Sequence, residues 1–303
     1  MEVVNIEKLI NSKEKYAVAI GFFDGVHLGH QAVIKNAIQT AKENQIKSVV
    51  ITFDKSPKVA LGIVKDEKNL TSEIEKLRLF EELGVDYTLI LKFDKAFLNL
   101  HADEFIEKFL LKINAIYVSV GFDFKFGQKA TGDTDLLKSY SQFKTEITDP
   151  IQIASSKVST TKIKKNLSEE KLEQANKMLG RAYSVTGKVI LGQQLGQTIG
   201  FPTANLQLGN KTLIPPTGVY ATTTYINERK FASMTNIGYN PTANLQDHLS
   251  IETHLLNADL DLYNKQIRVA FHKKIRDEKK FENITELVEQ LEKDKKFVEK
   301  TTF

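Results

Sequence analysis

His27 and His30 stand three residues apart in GFFDGVHLGHQ, residues 21–31, directly after the apolar run KYAVAI. An apolar run, a Gly-rich turn and a helical pattern make a strand–turn–helix unit. Spacing of three puts both imidazoles on one side of the first helical turn. A helix start offers unpaired N–H groups and the positive end of the peptide dipoles, which together suit a phosphate. Imidazoles placed there can donate hydrogen bonds to a phosphoryl group and stabilise charge that grows during displacement at phosphorus. Gly21, Gly25 and Gly29 would let the backbone approach such a ligand, with Asp24 beside them. Two other readings compete. The histidines could cap or pack, the usual meaning of a lone His-x-x-His. They could also hold a metal with Asp24, but zinc prefers a fuller ligand set. The three glycines and the strand–turn–helix setting favour a nucleotide site.

Three further stretches carry chemistry. VSTTKIK, residues 158–164, sets Ser159, Thr161 and Lys164 at a helix start, an arrangement for an anion or for ordinary capping. GFPTAN, residues 200–205, offers Thr203 and Asn205, whose oxygens suit a hard cation such as magnesium. No Gly-x4-Gly-Lys-Ser/Thr segment occurs, so any kinase must cradle phosphate differently. Gly192, Gly196 and Gly200 could do so, or could serve hairpin and bulge geometry. Glu252, in SIETHLLN, is either a surface carboxylate or a base that takes a hydroxyl proton before phosphoryl transfer.

The elements that must position these residues change character along the chain. AVAIGF, KSVVITF, DYTLILKF and AIYVSVG read as buried strands, alternating with helical patterns such as HQAVIKNAIQTAKEN and SEIEKLRLFEEL, the latter opened by a Ser72/Glu75 capping box. That alternation predicts an α/β unit with a parallel sheet covered by helices on both faces. From about residue 181, VTGKVILG, GVYATTTYI, KFASMTNIG, SIETHLLN and QIRVAFHKK are strand-like, with turn residues between them. A helix capped by Asn283 and Glu286 closes the chain. This predicts an antiparallel β-barrel with a terminal helix, and domains 1–180 and 181–303.

Composition sets limits. The 303 residues suit two domains, and the absence of cysteine excludes disulfides, thiol catalysis and cysteine–zinc sites. The N-terminus lacks a signal-peptide pattern and no apolar run spans a bilayer, so a cytoplasmic protein with no membrane partner is expected. The net charge of +4 is interspersed, which argues for a solvated surface and against nucleic-acid binding.

GFFDGVHLGH matches the Gly-x-Phe-Asp-Gly-x-His-x-Gly-His signature of nucleotidyltransferases. With VGFDFKFGQKATGD, residues 120–133, VSTTKIK, GKVILGQQLGQTIGFPTANL, residues 187–206, NIGYNPT, residues 236–242, and KKIRDEKKF, the chain resembles the bacterial bifunctional riboflavin kinase/FMN adenylyltransferase family along its whole length. The resemblance implies a Rossmann-like nucleotidyltransferase domain and a riboflavin-kinase barrel. Riboflavin, FMN, FAD and ATP would be the ligands and magnesium the cofactor. His27 and His30 would contact the ATP phosphates, and Asp123 would lie in the nucleotide and flavin site. Ser159, Thr161 and Lys164 would hold the leaving pyrophosphate, and NIGYNPT is taken as mainly structural. Glu252 would be the catalytic base, Thr203 and Asn205 would serve magnesium and ATP, and Arg276 and Glu278 would lie near the flavin. Lys162 and Lys164 stand where the family usually has arginine, in a chain with only five arginines. Gln197 and Ala130 replace usually basic residues and Ser56 a usual histidine. The alternatives are an FAD synthetase with a weakened kinase and a non-catalytic flavin-binding regulator. Self-association is left open.

Overall fold

The computed structural model describes residues 1–192, 195–239, 249–258 and 260–301. Its contacts divide the chain into two units, Met1–Thr160 and Thr161–Phe303. The first holds a six-stranded parallel sheet of β1 (Glu2–Val4), β2 (Tyr16–Ile20), β3 (Lys47–Phe53), β4 (Tyr87–Leu91), β5 (Ala115–Gly121) and β6 (Lys144–Thr148), in the order β1-β4-β3-β2-β5-β6. A small hairpin, β7 (Gln152–Ile153) and β8 (Ser156–Lys157), follows. The expected α/β layering is present. Val18, Ile20, Val49, Ile51, Val118 and Val120 face one apolar layer, while Ala17, Ala19 and Val50 face the other with Val33, Ile34, Ala37, Ile38, Leu79 and Phe80. Period-two alternation in each strand sends neighbours to opposite layers. The alanines keep the helix Leu28–Glu43 close to the sheet.

Two sheet strands escape the sequence patterns. β1 has three residues, and β6, KTEIT, is a part-exposed edge strand without a continuous apolar run. The strand order reverses at β2, with β3 on one side and β5 on the other. In an open parallel sheet the crevice beyond the strand ends at that point is where ligands collect. The histidine turn leaves the carboxyl end of β2 there.

The second unit is a closed barrel of β9 (Tyr183–Ile190), β10 (Ala204–Gln207), β11 (Gly218–Ile226), β12 (Arg229–Tyr239), β13 (Leu249–Leu255) and β14 (Gln266–Arg276), in the order β10-β13-β12-β11-β14-β9. Five strands match the sequence reading. β10 was hidden inside the proline-bearing GFPTAN turn, and it supplies the pairing that closes the barrel with β9 and β13. Closure leaves no unpaired edge. The barrel interior carries hydroxyls in mutual contact: Thr222 lies 2.8 Å from Ser233 and from Thr235, and Thr235 lies 2.6 Å from Thr253. Buried hydroxyls are tolerated because they satisfy one another. The helix Ile284–Lys300 begins at Asn283, whose side chain accepts from the Glu286 N–H, as expected. It packs Val288, Leu291 and Val298 on Phe201, Ala221 and Met234.

The contact division falls ahead of the expected boundary at 180. The helix Leu172–Leu179 packs on β14 and β9, and Asn176 ties it there, donating to the Phe271 carbonyl at 2.9 Å and accepting from the Tyr183 N–H at 2.7 Å. Its buried Leu172, Ala175, Met178 and Leu179 make one apolar face.

Candidate active sites

The first site is built on the turn after β2. His27 is the N-cap of the helix Leu28–Glu43, and its Nδ1 accepts from the His30 N–H at 3.2 Å. That bond leaves the ring proton on Nε2, as a donor. The His30 ring stacks on it, with centroids 3.5 Å apart and planes 18° apart. The capping reading and the chemical reading therefore meet in one side chain: Nδ1 caps and Nε2 carries the proton that a phosphate oxygen can accept. Phe23 holds the pair from below, edge-on to His30 at 5.3 Å and to Phe80 at 5.9 Å.

Asp24 and the glycines also hold the turn together. Asp24 is buried, and its Oδ1 accepts from the N–H groups of Leu70 at 2.8 Å and Thr71 at 3.2 Å. The Thr71 hydroxyl accepts from the Gly25 N–H at 3.0 Å. The carboxylate thus braces the turn against the strap before the helix Glu73–Leu83. A Cβ on Gly25, where φ is +83°, would lie 2.6 Å from Leu70 Cδ1. One on Gly21 would lie 2.7 Å from the Phe23 ring, and one on Gly29 would lie 3.2 Å from His27 Cε1. These glycines make room for the turn's own side chains.

Asp123 follows β5, the strand beside β2, and is exposed, with Lys157 at 3.5 Å. Lys157 also lies over the Phe122 ring, 4.1 Å from its centroid. The VSTTKIK segment is tied to the histidine turn by a residue the sequence reading passed over: the Thr160 hydroxyl donates to the Asp24 carbonyl at 3.1 Å. Ser159 precedes it, and Thr161 and Lys164 lie on the helix Thr160–Ser168. Ser56 has a local task, capping the helix Pro57–Ala60 through Val59 N–H and donating to Glu67 at 2.7 Å. Ala130 sits in a left-handed turn beside Lys129.

The second site lies on the barrel. Register places Asn205 and Asn236 directly across from Glu252, one on either side. Antiparallel partners share a face with Cβ atoms about 5 Å apart. Thr203 Oγ1 lies 3.5 Å from Glu252 Oε2. Burial pushes the Glu252 carboxyl above its ordinary range, and the Thr203 hydroxyl pulls weakly the other way. Two residues along β13, His254 Nδ1–H donates to the Pro202 carbonyl at 2.8 Å and the ring rests on Phe201 at 5.2 Å. Burial lowers the His254 pKa and keeps it neutral for that task. Asn236 and His254 were both missed. Strand alternation could have found His254, because it shares the Glu252 face. Asn236 needed the register. Gln197 is exposed in a short helix, Leu195–Thr198.

Gly192 and Gly196 are explained by close approach, since a Cβ on the first would strike the Asn205 amide and one on the second the Phe201 carbonyl. Gly238 likewise admits the Glu278 carboxylate, next to the Asn236 amide. NIGYNPT continues past the described residues at 240–242. Arg276 is engaged within the unit: its Nε and Nη2 bind Asp294 Oδ2 at 2.9 and 2.8 Å, and Nη1 donates to the Asp277 carbonyl at 3.0 Å. Asp294 is buried on the terminal helix and also accepts from Gln290 at 2.9 Å. Asp294→Ala should therefore lower stability by about 3–5 kcal/mol, because it strands a half-buried guanidinium, and denaturant unfolding would read the loss.

Hydroxyl and amide oxygens at Thr203 and Asn205 are hard donors of the kind magnesium prefers. No group of three or more His, Cys, Asp or Glu that could hold a metal occurs among the described residues.

Comparison with known proteins gives the family of the chain. The FAD synthetase model matches residues 9–162 and the riboflavin kinase model residues 179–302. A bifunctional riboflavin kinase/FMN adenylyltransferase of Listeria monocytogenes is 40% identical over 91% of this chain and 89% of its own. The chain belongs to that bifunctional family. Proteins of the same description from Bacillus subtilis and Escherichia coli are 37% and 35% identical, each over 93% of this chain and 90% or 91% of their own. A solved Streptococcus pneumoniae structure, described as a macrolide-efflux protein, superposes with a TM-score of 0.87 at 29% identity and covers 99% of each chain. Among the described residues no helix is long and apolar enough to cross a membrane. His27 and His30 lie in the first unit and Glu252 in the second.

Proposed function

We propose a division of labour for the two reactions of this chain. It is an ATP-dependent riboflavin kinase and an FMN adenylyltransferase, as its two domains and its relatives have it. Residues 1–180 carry the adenylyl transfer and residues 181–303 the phosphorylation. The observation that supports the first assignment is the stacked His27–His30 pair at a helix start beyond the carboxyl end of β2.

In the first site an FMN phosphate oxygen attacks the α-phosphorus of ATP, and the bond to pyrophosphate breaks. His27 Nε2–H and His30 donate to the phosphoryl oxygens as charge grows on them. Ser159, Thr161 and Lys164, in the motif that Thr160 anchors, are assigned to the leaving pyrophosphate. Lysine holds charge there without the fork of an arginine. Asp123, with its neighbours Phe122 and Lys157, is assigned to the nucleotide and flavin side. Asp24, Gly21, Gly25 and Gly29 shape the turn.

In the second site the riboflavin 5′-hydroxyl attacks the γ-phosphorus of ATP and passes its proton to Glu252, while the bond from that phosphorus to the β–γ bridging oxygen breaks and ADP leaves. The register of Asn205, Glu252 and Asn236 supports this reading. Thr203 and Asn205 would hold magnesium, which supplies charge neutralisation between phosphate groups. Gly192 and Gly196 keep the GFPTAN strand near enough for that. Glu278, beside Asn236, is the flavin-side candidate, and Arg276 serves the terminal helix. We place the enzyme in the cytoplasm, where ATP is at hand, without a nucleic-acid or membrane partner.

A chromatographic product assay tests the whole reading. Full-length protein incubated with ATP and magnesium should yield FAD from riboflavin and from FMN. FAD from FMN alone would leave a weakened kinase, with Gln197 the first suspect.

A further inference from the structure

Lys76 is a lysine buried beneath the histidine turn, where no sequence pattern marks it. It lies on the helix Glu73–Leu83 and is 6% exposed. Its Nζ donates to the Thr52 hydroxyl at 3.2 Å, the Phe53 carbonyl at 3.3 Å and the Phe22 carbonyl at 3.4 Å. The Thr52 hydroxyl donates to the same Phe22 carbonyl at 3.1 Å. The Phe22 ring lies under the ammonium, 4.9 Å from centroid to nitrogen. One cation therefore joins the end of β3 to the first residues of the turn.

Beyond Phe22 the turn is strained. Phe23 and Val26 are buried and have φ of +54° and +40°, in the left-handed region that side chains avoid. Such conformations persist only when the surroundings over-determine them, and they cluster at functional sites. The helix Glu73–Leu83 and its leading strap grip the turn at two points, Asp24 through Leu70 and Thr71, and Phe22 through Lys76. His27 comes directly after Val26. A methionine would fill the Lys76 position without the desolvation of an ammonium. Retaining the charge makes sense if its hydrogen bonds hold a geometry.

We propose that Lys76 is a positioning residue for the histidine pair, holding the Phe22 carbonyl so that the strained turn delivers His27 Nε2 to the phosphate. The proposal rests on the adenylyl-transfer reading of that site. Burial lowers the Lys76 pKa to about 8 against the pull of Asp24 on the turn, Asp54 after β3 and Glu73 on its own helix. Those are the charged groups that face it.

The test uses full-length Lys76→Met, with Thr52→Val as a near-isosteric second variant. Nitrogen-15 NMR of the imidazoles, without substrate, reads the His27 tautomer. Wild type should show one tautomer protonated at Nε2, and Lys76→Met a mixture. The kcat for FAD formation from FMN should fall about 10- to 100-fold, because a misplacement of 1 Å costs on that scale, with KM within about twofold. FMN formation from riboflavin should be unchanged and reports intact folding. The wild-type kcat should decline as pH rises through about 8, and the variant should lack that limb. Thr52→Val should move every readout the same way by less. A single His27 tautomer and wild-type kcat in Lys76→Met would overturn the inference. So would equal loss of both activities in both variants, which would make Lys76 a core residue only. A tautomer change in an enzyme whose wild type makes no FAD would uphold the positioning and refute the reading of the site.

Discussion

His27→Ala should abolish FAD formation from FMN, with kcat down about a thousandfold, while riboflavin is still converted to FMN. The magnitude comes from removing a donor aimed at developing phosphoryl charge in a preorganised site. The selectivity comes from His27 and Glu252 lying in separate units. Alanine also removes the cap that Nδ1 provides for the His30 N–H, which costs about 1 kcal/mol of helix stability. His27→Asn separates the two roles. Its amide oxygen can accept from the same N–H, so thermal unfolding should return to the wild-type midpoint. It has no ring to stack on His30 and presents no Nε2–H, so activity should stay lost. Parallel rate measurements with riboflavin and FMN, alongside melting curves, would check both halves. Recovery of adenylyl transfer in His27→Asn would mean that the histidine serves only as a cap, and the chemical role would be withdrawn.

The sequence carried the histidine pair well because everything it depends on is local. Strand, turn, cap and helix lie within some thirty consecutive residues, and the three-residue spacing became ring stacking at 3.5 Å. The Ser72 cap was similarly local: its hydroxyl accepts from the Glu75 N–H at 3.2 Å, although Glu75 spends its carboxylate on Arg78 and does not complete the box. The bracing contacts of Asp24 were not legible because its partners, Leu70 and Thr71, are distant in sequence. Lys76 was invisible for the same reason, since a lysine in an amphipathic helix normally reads as surface. In the barrel, Glu252 gained its meaning from register. Only the closing strand β10, concealed by Pro202, brings Asn205 to it. Arg276 shows the converse. Its place in a terminal motif suggested a ligand, but Asp294 on the terminal helix engages it.

Glu252→Gln should lower FMN formation from riboflavin by about 10²- to 10⁴-fold, the usual contribution of a positioned general base, and leave FAD formation from FMN intact. Glutamine keeps the shape and the hydrogen bond from Thr203 but cannot take the hydroxyl proton. The same substitution should raise stability at neutral pH, for a reason that can be worked out from the titration. Burial holds the folded carboxyl above its unfolded value of 4.5. Between the two values the folded protein keeps a proton that the unfolded chain has released, so stability falls as pH rises through that window. Above the window the cost of a buried carboxylate is fully present. Below the unfolded value it is absent. Melting curves of wild type and Glu252→Gln should therefore coincide at the acid end and separate as pH rises, with the variant the more stable. The wild-type kinase rate should show its acid limb above the ordinary carboxylate range, shifted in the same direction. A variant that lost activity and was less stable than wild type at pH 7 would mean that Glu252 holds the strand row together and does not act as the base. Greater stability with lost activity is what a carboxylate kept for catalysis at the expense of the fold would give.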